Sequence, residues 1–304
     1  MEGMATFVGM KVVIRTAVVA PEYAGWYLVD FALAQMEELP SRNAVKTAIK
    51  QERLQVAGVP QPTGYRVQVG DEVCLMAPEG PAPKEYRMEL EVLYLDAHMA
   101  VVYKPPGLPT SGNAFRTLQN VLVGQLEPTD LPDALPWARP VHRLDGPTQG
   151  LVLVARSQRA LTQLGHQLAA RAVRKTYHAV VHGALEGRHV VREPIKRQMA
   201  HSEVQGLVVN PEAHRGALSL VRLWPHTGRT HQLRIHLAEM GHPILGDVQY
   251  IKAQQTLQHK GLFLAATRLQ LAHPLSGEEL DVLAPIPEKF WRRLGLEKQD
   301  LPEG

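Results

Sequence analysis

The chain has 304 residues, 45% hydrophobic and 21% charged, with a formal net charge of +3, which excludes a disordered or fibrous chain and allows two ordinary domains. The only cysteine is Cys74, in the apolar run Val73-Cys74-Leu75-Met76, which excludes an intrachain disulfide and a cysteine-based zinc site. No stretch approaches the roughly 20 apolar residues that span a bilayer, and the N-terminus lacks the apolar run of a secretory signal, so a cytoplasmic protein without a membrane partner is expected.

In chain order, residues 1–77 read as a small domain. Lys11-Val12-Val13-Ile14 reads as a strand, and Trp26 to Glu38 as a helix with Leu28, Phe31, Ala32 and Leu33 on its apolar face. Ser41 is placed to cap a helix running from Arg42 to about Arg53. Val45, Ala48 and Ile49 share one face of that helix, and Arg42, Lys46, Lys50 and Arg53 share another. Leu54-Gln55-Val56 leads to a turn at Gly58, and Tyr65 to Val69 reads as a strand. The basic stripe is either a solvated surface or a face that meets phosphates. Like charges at successive turns repel, only Glu52 lies nearby to offset them, and a nucleic-acid backbone would supply the counter-charge.

Residues 78–88 are rich in proline and read as a linker, and residues 89–304 as a second domain. Its strands are expected near 89–95, 100–103, 151–155, 175–182, 217–224 and 262–271, and its helices near 116–126, 157–171, 231–240 and 287–294. Together these elements give an α+β protein.

Chemistry concentrates in three segments. His142-Arg143-Leu144-Asp145-Gly146-Pro147-Thr148-Gln149-Gly150 sets one carboxylate in a polar turn before an apolar strand. Asp145 there is either a turn cap or a nucleophile, since a carboxylate can attack an anomeric carbon. Arg174-Lys175-Thr176-Tyr177 begins a strand, and Tyr177 is either a packed aromatic or a group that meets substrate. Gly228-Arg229-Thr230-His231-Gln232-Leu233-Arg234-Ile235-His236 opens a helix for which Thr230 is a plausible N-cap and Gly241 a C-terminal stop. His231 and His236, five residues apart, lie about 140° apart around a helix and cannot chelate one ion together. No metal and no organic cofactor is expected.

These three segments in this order resemble the RluA-type pseudouridine synthases, whose catalytic Asp sits in a His-Arg-Leu-Asp turn. Val101 to Leu108 and Gly241 to Asp247 add weaker matches. Ser41-Arg42-Asn43-Ala44-Val45, Leu54 to Gly58 and Val69-Gly70-Asp71 resemble a small-subunit-ribosomal-protein-like RNA-binding domain. The resemblance implies a bent mixed sheet with flanking helices and a basic cleft, and isomerisation of specific uridines in structured RNA, ribosomal or transfer, to pseudouridine. It implies Asp145 as nucleophile, Tyr177 stacked on the target base and Arg234 beside Asp145. Substrate contacts would come from Arg143, His142, Arg229 and Lys175, and RNA contacts of the first domain from Arg42, Lys46, Lys50 and Arg53. Two rivals remain: a non-catalytic RNA-binding or assembly factor that keeps the fold, and a glycosylase that releases free uracil.

Overall fold

The computed structural model describes residues 13–36, 38–39, 41–76, 84–213, 216–251 and 261–297. The chain divides into two compact units, Met1–Ala82 and Pro83–Gly304.

The first unit carries β1 (Val13–Val18), α1 (Leu28–Gln35), α2 (Arg42–Lys50), β2 (Leu54–Val56), β3 (Val59–Pro60) and β4 (Glu72–Met76). The strands form one antiparallel sheet in the order β1-β4-β2-β3. Its core is made by Leu28, Phe31 and Ala32 of α1, Val45 and Ala48 of α2, and Leu54 and Leu75 of the sheet. Leu33, expected on the buried face of α1, is exposed. Ser41 caps α2, its Oγ accepting from the Ala44 N–H at 3.2 Å. Lys11 and Val12 of the expected first strand lie outside the described residues, and the strand runs on to Val18. The strand expected at 65–69 is absent; only an isolated bridge pairs Tyr27 with Arg66. Side-chain bonds hold this segment instead: the Tyr65 hydroxyl donates to Asp71 at 2.8 Å, and Arg66 lies over the Tyr27 ring at 4.2 Å.

The helix expected to reach Arg53 stops at Lys50, because Glu52 takes a left-handed backbone (φ 56°). Arg53 therefore leaves the helix. Its Nε donates to the Met76 carbonyl at 2.9 Å and ties the turn to β4.

The second unit is an α+β layer structure. Its strands are β5 (Val92–Leu95), β6 (Met99–Lys104), β7 (Ala134–Pro140), β8 (Gln149–Ser157), β9 (Arg174–His182), β10 (Arg188–Val191), β11 (Ser202–Asn210), β12 (Leu218–Pro225), β13 (Leu264–Ala272) and β14 (Glu279–Leu283). Its helices are α3 (Leu118–Gln125), α4 (Gln158–Ala169), α5 (Gln232–Glu239) and α6 (Glu288–Leu294). The strands make a single mixed sheet ordered β10-β11-β12-β9-β13-β8-β6-β5, with β14 added to β13 and β7 to β8. Strands β7, β10, β11 and β14 were not expected. β7 contains Pro136 and Pro140, β10 and β14 are largely exposed, and a register shift near Gly206 breaks the alternation of β11.

Strand β8 is apolar without alternation because both its faces are covered. Val152 and Val154 point into the core shared with α3, and Leu151 and Leu153 into the core shared with Leu164 of α4. The one parallel pairing among the described residues, β8 with β13, is short and joins Gln149 to Ala265 and Gly150 to Ala266. Gly150 sits at φ +119°, and a Cβ there would lie 2.1 Å from the Ala266 carbonyl oxygen. Only glycine lets the two backbones approach so closely. This junction delivers the turn at residues 143–148 to the middle of the sheet.

Candidate active site

The turn that carries Asp145 is anchored on both sides. The Leu144 side chain is buried, and its N–H and carbonyl both bond the Thr110 hydroxyl, at 3.1 and 3.0 Å. The Gly146 carbonyl accepts from the Gly107 N–H at 2.8 Å and from Lys104 Nζ at 3.1 Å. Lys104 is fully buried and also donates to the carbonyls of Pro105 and Leu108 at 2.9 and 2.7 Å. Burial pushes its pKa down to about 8, against the opposing pull of the Asp145 charge. In the sequence Lys104 stands only within the weaker match Val101 to Leu108. The available signal was a lysine ending the apolar strand Met99–Lys104.

Between these anchors the Asp145 carboxylate stays partly open, with 19% of its side chain exposed. Arg234 NH1 lies 3.7 Å from Oδ2, and His231 Nε2 lies 3.7 Å from Oδ1. Both distances exceed a hydrogen bond, so cationic and polar groups flank the carboxylate without occupying its lone pairs. Arg234 is instead clamped by buried Asp247, through Nε to Oδ2 at 2.6 Å and NH2 to Oδ1 at 2.9 Å. Burial works against the guanidinium charge, but the bonds to Asp247 outweigh it and raise the Arg234 pKa. Burial likewise opposes the Asp247 carboxylate, yet Arg234 and the N–H groups of Gln249 and Tyr250 lower its pKa. Asp247, which ends the weaker match Gly241 to Asp247, is the group that orients Arg234. The Tyr250 ring lies 5.0 Å from the guanidinium carbon.

The helix opening also differs from expectation. Thr230 is not the N-cap of α5; His231 is, with φ 57° and ψ 22° and no capping bond from its side chain. Gln232 secures the preceding turn, accepting from the Thr227 hydroxyl at 2.6 Å and the Arg229 N–H at 3.0 Å. It also donates to the His201 carbonyl at 2.9 Å and to Ser202 Oγ at 2.8 Å. His236 is buried and bonded to Ser202 Oγ and the Glu193 carbonyl, away from Asp145.

Asp145, Tyr177, Arg234, Arg143, His142, Arg229 and Lys175 all line one open cavity of about 1080 Å³. Seven of its lining residues are lysine or arginine (143, 171, 174, 175, 188, 229 and 234) and two are acidic (145 and 203), which makes it a basic cleft suited to a polyanion. Tyr177 is buried, and burial followed by the Asp145 charge raises its hydroxyl pKa well above the ordinary value. It is therefore a neutral phenol, able to stack or to relay a proton. Arg143 is exposed, and Lys175 is half-buried with its pKa lowered by desolvation. Arg229 spends its Nε on the Met199 carbonyl at 3.0 Å. His142 accepts from the Leu153 N–H at 3.0 Å, and burial followed by the Lys175 charge pushes its pKa down to about 4. It lines the cleft as a neutral ring that supports the turn. The stripe of the first unit is only partly held together: Lys46 and Lys50 are exposed on α2, Arg42 pairs with Asp30 at 2.5 Å, and Arg53 lies beyond the helix.

Among the described residues, three metal-capable side chains come together in His201, Glu203 and His226, with ligand atoms within 4.8 Å of one another. The two rings stack, with centroids 4.2 Å apart and planes at 19°, so their lone pairs lie in two nearly parallel, offset planes, a poor arrangement for tetrahedral ligation. Glu203 is already bonded to His226 at 2.8 Å and to Arg188 Nε at 3.0 Å. This geometry suits a stacked and ion-paired wall of the cleft better than a chelated ion.

Residues 98–239, which include Asp145, Tyr177 and Arg234, match the family model described as RNA pseudouridylate synthase. Ribosomal large subunit pseudouridine synthase D of Pseudomonas aeruginosa is 33% identical, over 96% of this chain and 98% of its own length. The protein of that name from Xanthomonas campestris is 35% identical, over 94% and 93%. An uncharacterized RNA pseudouridine synthase of Bacillus subtilis is 34% identical, over 86% and 90%. Among solved structures, human RNA pseudouridylate synthase domain containing 4 superposes with a TM-score of 0.56 at 27% identity, over 68% of this chain and 93% of that one.

Proposed function

This chain belongs to the RNA pseudouridine synthase family, and from that membership we propose that it isomerises uridines of large-subunit ribosomal RNA with Asp145 as nucleophile and without metal or cofactor. The enzyme class is that of its relatives; the choice of RNA rests on the names of the relatives that match along nearly their whole length. The observation that carries the residue assignment is the carboxylate of Asp145, partly open in a basic cleft, with Arg234 and His231 each 3.7 Å from one of its oxygens.

The reaction needs no outside reactant. The C1′–N1 bond of the uridine breaks, the uracil turns while it remains bound, C5 bonds to C1′, and the C5 proton is lost as N1 gains one. Asp145 either attacks C1′ or stabilises positive charge on the sugar. Arg234, held by Asp247, keeps a fixed positive charge beside it. Tyr177 offers its face to the uracil, and its neutral hydroxyl relays the C5 proton. The uridine must leave its stack to enter, at a cost of roughly a few kcal/mol. Arg143, exposed beside the nucleophile, fills the vacated space or holds a flanking phosphate. Lys175 and Arg229 add positive potential to the cleft walls, and His142 supports the turn. The first unit serves as a small RNA-binding domain that recruits folded RNA.

Asp145→Asn tests the assignment. It keeps the size and loses the charge and nucleophilicity, so pseudouridine formation should fall by at least about 10⁴-fold with RNA affinity nearly unchanged. Activity within tenfold of the original protein would remove Asp145 from the chemistry. Free uracil and abasic sites in treated RNA would favour the glycosylase reading.

A further inference from the structure

We propose that His231 is a positioning residue for the isomerisation, facing the Asp145 oxygen that Arg234 does not face. This inference rests on Asp145 being the nucleophile.

Three independent features of His231 support it. Its backbone is left-handed (φ 57°), a conformation that side-chain-bearing residues rarely adopt, and the first position of a helix ordinarily takes an extended backbone. Its side chain makes no capping bond. A residue that contributed only to the helix start would be glycine or a hydroxyl or amide residue in an extended conformation. Strain of this kind persists where the surrounding structure uses the side chain it aims.

The ring is held at Nδ1 and turns Nε2 toward Asp145. Nδ1 bonds the Tyr250 hydroxyl at 2.9 Å, and the two rings meet edge to face with centroids 5.7 Å apart. Nε2 faces Asp145 Oδ1 at 3.7 Å. A bare Nε2 lone pair facing a carboxylate is repulsive, so the proton belongs on Nε2 and Nδ1 accepts from Tyr250. Tyr250 thus plays toward His231 the part that Asp247 plays toward Arg234.

The outcome is a carboxylate with one donor behind each oxygen and neither donor within bonding distance. Arg234 alone would leave the carboxylate free to rotate toward NH1, the nitrogen not spent on Asp247, and close a hydrogen-bonded ion pair that occupies an attacking lone pair. A second donor on the other oxygen balances that pull and keeps one carboxylate edge turned to the cleft. His231 is therefore expected to act on the rate of the chemical step and not on RNA affinity.

The test uses the full-length protein and a large-subunit ribosomal RNA transcript, measuring the single-turnover rate at saturating protein and the Kd separately. His231→Ala should slow the chemical step by about 10- to 100-fold with Kd changed less than about threefold. His231→Gly relieves the backbone strain, so it should melt no lower than the original protein and still be as slow as the alanine variant. His231→Gln, whose amide N–H reaches toward the Nε2 position, should recover most of the rate. Tyr250→Phe should slow the step by about threefold, and the His231→Ala, Tyr250→Phe pair should be no slower than His231→Ala alone. A His231→Ala rate within twofold of the original, a loss confined to Kd, or a glutamine variant as slow as alanine would overturn the inference. Asp145→Asn is measured alongside: if it retains activity, the reading of Asp145 has failed, whereas an inactive Asp145→Asn with a normal His231→Ala means that the role of His231 alone has failed.

Discussion

Lys104 is a buried ammonium held by three backbone carbonyls, one of which, Gly146, follows the proposed nucleophile. Lys104→Met keeps the length and apolar stem but leaves those carbonyls without their donor. The variant should lose about 3 kcal/mol of stability at pH 7 and slow the reaction through the loosened Asp145 turn. Because burial lowers the folded-state pKa to about 8, from an unfolded value of about 10.4, the unfolded chain binds the extra proton between those values. The stability linked to Lys104 is therefore present in full above about pH 10.4 and is lost as pH falls through about 8. Urea unfolding of the two proteins from pH 7 to 10.5 should show the original gaining on the variant by about 3 kcal/mol as pH rises. A gap that narrows over that range would contradict a lowered pKa for buried Lys104. Asp247 teaches the same lesson about single residues. Its identity was visible, but its partner, Arg234, was not, because the two stand thirteen positions apart, Arg234 inside α5 and Asp247 beyond it.

Among elements, β8 and β13 decide where the site stands. Their parallel contact is two residue pairs long and depends on Gly150. Gly150→Ala would set a methyl 2.1 Å from the Ala266 carbonyl oxygen at a φ of +119°, so the strands must part. A destabilisation of about 3 kcal/mol or more is expected, with activity lost at temperatures where the protein remains folded, since the Asp145 turn enters the sheet at this point. Thermal melting and activity of the variant check both. Gly146→Ala, with nothing within 4 Å of the added methyl, is the matched control and should stay within about 1 kcal/mol of the original. Elements with strong periodicity, such as α4 with Leu161, Leu164 and Leu168, were legible in the sequence. Exposed or bulged strands, such as β10 and β11, were not, because their side chains carry no steady alternation of burial.

For the whole molecule, the cleft of the second unit carries the proposed chemistry, and the first unit carries separate positive charge. Lys46 and Lys50 are exposed on α2, whereas Arg42 is paired with Asp30 and Arg53 is bonded to the Met76 carbonyl. Replacing Lys46 and Lys50 by Gln should flatten the log–log salt dependence of binding to long folded RNA by about 1.4 to 1.8. A short RNA that fills only the cleft should be modified as before. An unchanged slope would make the stripe a solvated surface, and equal losses on both substrates would mean that the first unit shapes the cleft. What the sequence determined alone is local. The three motifs in order, the α+β class, the caps at Ser41 and Gly241 and most buried elements are written in neighbouring residues, where spacing and side-chain type act directly. The tertiary structure decided what depends on residues far apart: the branched junction at Gly150, the clamp of Asp247 on Arg234, the burial of Lys104 under the Asp145 turn, and the placing of His231 beside Asp145. Each is a contact between segments whose separation along the chain leaves no periodic trace, and each takes its energy from burial that exists only once the sheet has assembled.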